Sequence, residues 1–150
     1  MLGPLRGLLV AIAMAGCGSQ TPAITFDRCE PVRVSGGDGV ADAIAMWRAR
    51  GVTPFTVAEP ADIRVETATG APAFYGFYDD ATATVYVNTT ITDAHARAVT
   101  IAHELGHALG LVHVPPEVRA SVMNPGNLMV EPTAADAEAL GGCASASGAW

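Results

Sequence analysis

The run His103-Glu104-Leu105-Gly106-His107-Ala108-Leu109-Gly110-Leu111-Val112-His113 holds three of the four histidines in the chain. Residues four apart on a helix stand one above the other, so a helix here brings the imidazoles of His103 and His107 to one point. A tetrahedral zinc site that keeps an open position for water needs a third protein ligand. Another helical turn could not easily bring that ligand round. Gly110 lets the chain leave the helix, in the left-handed conformation open to glycine, and return His113 to the same point. Glu104 adjoins the first ligand and can reach a water at the open position. Bound zinc lowers the pKa of such a water to about 7 and polarises a carbonyl beside it. Glu104 then takes a proton from the attacking water and later returns one to the leaving amine. At ordinary residue frequencies these five fixed residues coincide by chance in well under ~1 in 10,000 chains of this size, which sets unrelated histidines aside. His95, about two turns upstream, reads as a solvated or structural residue and not as a ligand.

The segment resembles the helix motif of the metzincin clan of zinc peptidases, which is followed by a tight turn containing methionine. Ser121-Val122-Met123-Asn124-Pro125 is similar to that turn. The resemblance implies that Met123 packs beneath the three imidazoles as an apolar floor. Matrixins are the nearest match within the clan. Ala61-Asp62-Ile63-Arg64-Val65 resembles their Ala-Asp-Ile strand, and Val85-Tyr86-Val87-Asn88 looks like the edge strand that precedes their active-site helix. The implied fold is α+β, a twisted mixed sheet of four or five strands with a backing helix, an active-site helix and a small irregular C-terminal part with a last helix. Departures are visible. Val114 follows the third ligand where animal matrixins often have serine. The fourth histidine alone cannot supply their extra structural zinc. No tyrosine follows Met123 at the spacing used by astacins and serralysins. Asp79-Asp80 could bind Ca2+, although two carboxylates in a turn are more often simply solvated.

Around this centre the residue pattern places the elements. Val32-Arg33-Val34 reads as a strand. Val40, Ala43, Ile44 and Trp47 fall at helical spacing, predicting a helix over 40–50 that Asp38 could cap and Gly51 ends. Strands are expected over 54–57, 63–67, 74–78 and 82–88. The active-site helix is expected over 93–109, with Thr90 or Thr92 as its cap and Asp93 in its first turn. Pro115-Pro116 prevents continuation. Thr133 can cap a last helix over 134–140. An edge strand over 83–87 would let an extended peptide add to the sheet. The loop 125–132, with Leu128 and Met129, would line an apolar primed-side pocket by analogy with matrixins.

Composition bounds the rest. The chain has 150 residues, which suits one compact domain. It carries 8 basic residues, all arginine, against 15 acidic ones, for a formal net charge of −7. Such a charge set excludes nucleic-acid binding by counterion release and docking on an anionic membrane. Residues 1–16 follow the plan of a secretory signal peptide, too short to span a bilayer as a helix. Met14-Ala15-Gly16-Cys17 resembles a bacterial lipobox, which implies lipidation of Cys17; cleavage after Ala15 by an ordinary signal peptidase is the alternative. Residues 17–31 form a tether and N-terminal segment, and 32–150 the catalytic domain. In an oxidising compartment Cys29 and Cys143 are expected to pair. Arg28-Cys29-Glu30-Pro31 also faintly resembles the cysteine switch of matrix metallopeptidase propeptides.

The expectation is therefore an exported, monomeric zinc endopeptidase acting on peptide or protein, freely secreted, periplasmic or an outer-membrane lipoprotein, touching a membrane only through its N-terminal lipid. Two other classes stay open: a metzincin-fold binding module without turnover, against which intact Glu104 argues, and a zinc amidase on non-protein substrates.

Overall fold

A computed structural model of the chain describes residues 25–70 and 74–143. The leader over 1–16 and the lipidation site at Cys17 lie outside the described residues. The elements run β1 (Val32–Val34), α1 (Val40–Arg48), β2 (Phe55–Val57), β3 (Arg64–Ala68), β4 (Gly76–Asp79), β5 (Thr84–Asn88), α2 (Ala94–Ala108) and α3 (Ala134–Ala139). The α+β class is as expected. Among the described residues, no helix is long and apolar enough to cross a membrane.

The strands do not form one continuous sheet. β1 and β2 pair in parallel, and a separate sheet has the order β3-β5-β4, with β3 parallel and β4 antiparallel to β5. A single parallel bridge, Val34 to Ile63, joins the two. The ladder stops there for a local reason. The Ser35 hydroxyl accepts the Val65 N–H at 2.8 Å, in the place of a main-chain carbonyl, and the chain then turns away through Gly36 and Gly37.

β5 is flanked on both sides, which corrects the expectation that it is an edge strand. Val85 and Val87 are almost wholly buried, as a central strand requires; β3 and β4 are the terminal strands, and among the described residues no strand pairs with the outer side of β4. The spacing of Val40, Ala43, Ile44 and Trp47 gives α1 one apolar stripe, and all four are buried. That stripe packs α1 against α2, which also lies on β4 and β5. The Trp47 indole N–H donates to the Ala102 carbonyl at 2.9 Å, so the largest core side chain has no orphan donor.

Two expected helix caps are moved. Gly39, not Asp38, is the N-cap of α1; it takes a left-handed φ of 84° and makes no side-chain cap bond. A Cβ there would come within 3.3 Å of the Ala98 nitrogen, a tight contact that adds to the left-handed φ in favouring glycine. Asp93 caps α2, accepting the Ala96 N–H at 2.8 Å, whereas the Thr90 N–H is held by the Asn88 side chain in the preceding turn. Thr133 caps α3 as expected, in a reciprocal box with Asp136.

The stretch from Thr25 to Pro31, the described part of the N-terminal segment, is docked on the fold. The Phe26 N–H donates to the Ala108 carbonyl at 2.8 Å, satisfying one orphan acceptor at the end of α2, and the Phe26 ring packs on the core. Arg28 reaches the carbonyls of Ala137 and Gly141 beyond it. Cys29 is bonded to Cys143, with the two Cα atoms 5.5 Å apart.

Candidate metal centre

α2 carries His103 and His107 on one face, as their spacing requires. The helix then ends in a Schellman arrangement. Gly110 has a φ of 92°, the Leu111 N–H donates to the Gly106 carbonyl at 2.9 Å, and the Gly110 N–H donates to the His107 carbonyl at 2.8 Å. This turn sends the chain back, and His113 meets the other two. Its Nε2 lies 3.2 Å from Nε2 of both His103 and His107. Among the described residues, this is the one group of three metal-ligating side chains close enough to share an ion.

The outer ring nitrogens fix the tautomers. His103 Nδ1 is 2.6 Å from the Val122 carbonyl, and His107 Nδ1 is 2.7 Å from the Leu111 carbonyl. A carbonyl can only accept, so both Nδ1 atoms carry protons and both Nε2 lone pairs point inward. Burial, followed by the neighbouring His107, holds the His103 pKa down to about 4, and burial also lowers His107 and His113. The inward lone pairs of His103 and His107 both face His113 Nε2, which can donate to only one of them at a time, whereas a cation accepts all three nitrogens. Tetrahedral zinc at about 2.05 Å from each nitrogen separates its ligands by about 3.3 Å, close to the 3.2 Å from His113 Nε2 to each of the other two. The residues therefore fit a metal ion.

Glu104 is 5% exposed. Burial pushes its carboxyl up to about 8, against which a backbone hydrogen bond from Tyr78 pulls it down. A nearby divalent cation favours the ionised form. The strand pairing explains the partner. The Asn88 N–H donates to the Tyr75 carbonyl at 2.8 Å, making 75 and 88 a bonded pair. By the antiparallel alternation 77 and 86 are bonded too, and the main-chain groups of Gly76 and Tyr78 point away from β5, over the outer edge of β4. Glu104 sits at that edge.

The cleft has a volume of about 530 Å³ and brings the three histidines and Glu104 together with the aromatic residues Phe74, Tyr75, Phe77 and Tyr78. The sequence marked 74–78 as β-prone but gave no sign that it forms a cleft wall. Pro125 to Asn127, the start of the loop expected there, also line it, with Gly126 beside the Tyr75 ring. Leu128 packs on the core and Met129 is 72% exposed, so neither forms the expected apolar pocket.

Met123 is buried, with its sulfur against α2 at Gly106, between the two helical histidines; a Cβ on Gly106 would lie 2.5 Å from that sulfur. Its carbonyl accepts the Val114 N–H at 3.0 Å, next to His113. Two braces of this turn had no mark in the sequence. The Asn124 side chain donates to the Val114 carbonyl at 2.8 Å, and buried Asp136 accepts the Ser121 hydroxyl at 2.5 Å and the Val122 N–H at 3.0 Å. The Val122 carbonyl in turn orients His103.

The remaining candidates lie elsewhere. His95 is at the start of α2, 3.9 Å from Glu131 and outside the cluster. Asp79 spends its oxygens on the Ala81 N–H and the Thr82 hydroxyl within its own turn, which leaves Ca2+ without support. The Cys29 sulfur is committed to Cys143 and takes no part in the histidine cluster. No protein-family model matches the chain, and no curated protein matches it.

Proposed function

We propose that the chain is a zinc-dependent endopeptidase of the metzincin type, matrixin-like in the order of its elements. One observation carries this reading: three inward-facing imidazole nitrogens and a buried glutamate meet in a single cleft along the outer edge of β4. His103, His107 and His113 would hold the ion. Bound zinc supplies a Lewis acid for the scissile carbonyl and makes water nucleophilic near neutral pH. Glu104 removes a proton from the attacking water and passes it to the departing amine. The Tyr78 N–H holds the carboxylate at the cleft wall while it does so. The β4 edge orients the substrate: an extended peptide adds alongside it, with Gly76 offering its outward N–H and C=O.

Purified, zinc-loaded chain is tested on a mixed peptide library beside Glu104→Gln. The expected result is internal cleavage by the first and a loss in kcat of about a hundred- to ten-thousandfold in the second, with zinc still bound. Removing zinc with a chelator abolishes cleavage and adding it back restores it. A folded, zinc-loaded protein that leaves the whole library intact would sink the endopeptidase reading in favour of a binding module; turnover of cell-wall amides alone would favour the amidase.

A further inference from the structure

Gly76 opens β4 at the point where the strand crosses α2. A glycine weakens a strand, so it needs a reason. Backbone conformation is not the reason, because its φ is not positive. Space is. A Cβ at 76 would lie 2.6 Å from Thr100 Cγ2, 2.9 Å from Glu104 Oε1 and 3.2 Å from Glu104 Cγ. Thr100 cannot yield: it is buried, branched at Cβ, and its hydroxyl is bonded to the Ala96 carbonyl at 2.8 Å. The overlap with Thr100 must be met by the strand, which Asn88 anchors at Tyr75, and the overlap with Glu104 by the carboxylate, the unbranched and rotatable neighbour. Either movement parts Glu104 from the β4 edge.

We propose that Gly76 is a positioning residue for Glu104: the missing side chain is what allows the carboxylate to lie against the β4 edge beneath the Tyr78 N–H. Its geometry stands alone, and its catalytic meaning rests on the endopeptidase reading above. A residue that merely stabilised the sheet would act on unfolding. Gly76 instead acts on where one carboxylate sits.

The test uses the full, zinc-loaded chain and two readouts. The first is the Tyr78 amide resonance in 15N-labelled protein, which reports the hydrogen bond to Glu104. The second is the split between kcat and KM on a cleaved peptide. In Gly76→Ala the Tyr78 amide moves toward its position in Glu104→Ala, zinc stays bound, kcat falls by about tenfold or more, and KM changes by less than about threefold. Adding Thr100→Ser deletes Cγ2, gives the new methyl somewhere to go, and moves both readouts back toward the parent. A Tyr78 amide unchanged in Gly76→Ala overturns the proposal, as does a loss that Thr100→Ser leaves untouched. If Gly76→Ala alone does not fold, the substitution is made in Thr100→Ser chains with and without Glu104→Ala. It must shift the amide more where the carboxylate is present; equal shifts overturn the proposal. A parent chain that cleaves no peptide removes the endopeptidase reading, and the amide still decides the role of Gly76.

Discussion

A methyl group added at Gly106 would lie 2.5 Å from the sulfur of Met123 and 3.3 Å from the Trp47 ring. Neither neighbour has room to retreat, because both are almost fully buried. Helix propensity alone favours Gly106→Ala by about 1 kcal/mol, while overpacking a tight core costs about 1–3 kcal/mol. The overlap should win, and urea unfolding of Gly106→Ala is expected to give a lower midpoint than the parent. A higher midpoint would mean that Met123 moves aside freely. The spacing of the ligands and of Gly110 was legible in the sequence because it obeys helix geometry. The need for glycine at 106 was not, since it comes from a side chain on the far side of the turn. Gly76 was hidden for the same reason.

α3 has only six residues, yet it carries the brace of the methionine turn. Asp136 is wholly buried and accepts from Ser121, Val122, Thr133 and Arg119. Burial pushes its carboxyl up, but the bonds from Ser121, Thr133, Arg119 and Val122 together outweigh burial and hold it below its ordinary 3.8. Asp136→Asn should cost about 3 kcal/mol at neutral pH, because it leaves buried donors without a charged acceptor. The folded pKa lies below the unfolded one, so this stabilisation is complete above the ordinary aspartate range and is lost as the pH falls through the folded value. Melting curves should therefore show a constant gap between parent and Asp136→Asn from pH 7 to about pH 5, closing in stronger acid. A gap that persists at the acid end would mean that the carboxylate charge is not what stabilises the turn. From sequence, Asp136 reads only as an acidic residue in the first turn of a capped helix. Thr133, the cap, was legible because capping is local. The partners across the fold were not, and the same distinction explains β5. Its run of β-prone residues announced a strand, but which strands flank it depends on how distant segments pair.

Cys29 and Cys143 are 114 positions apart, and their bridge closes nearly the whole described domain into one loop. In the chain-entropy account such a loop contributes about 4–5 kcal/mol. Cys29→Ser/Cys143→Ser should lower the denaturant midpoint accordingly, and a dithiol reductant should bring the parent to the same value. Equal midpoints with and without the bridge would mean that the Arg28 contacts with Ala137 and Gly141 already hold the two segments together. At this scale the sequence announced the α+β class, the order of strands and helices, and the pairing of two cysteines in an oxidising compartment. It missed the division of the sheet at Ser35, whose hydroxyl takes the Val65 N–H, and the contacts of Phe26 with α2 and of Arg28 with α3, which join segments far apart in the chain. The joined cysteines also change what counts as a beginning. With their Cα atoms 5.5 Å apart, the stretch from Cys29 to Cys143 is a closed circuit that can be entered at any exposed loop. A path that starts at Pro60, runs to Cys143, crosses to Cys29 and finishes at the exposed Glu59 visits every element with the same neighbours, and the histidines and their glutamate remain on one uninterrupted stretch.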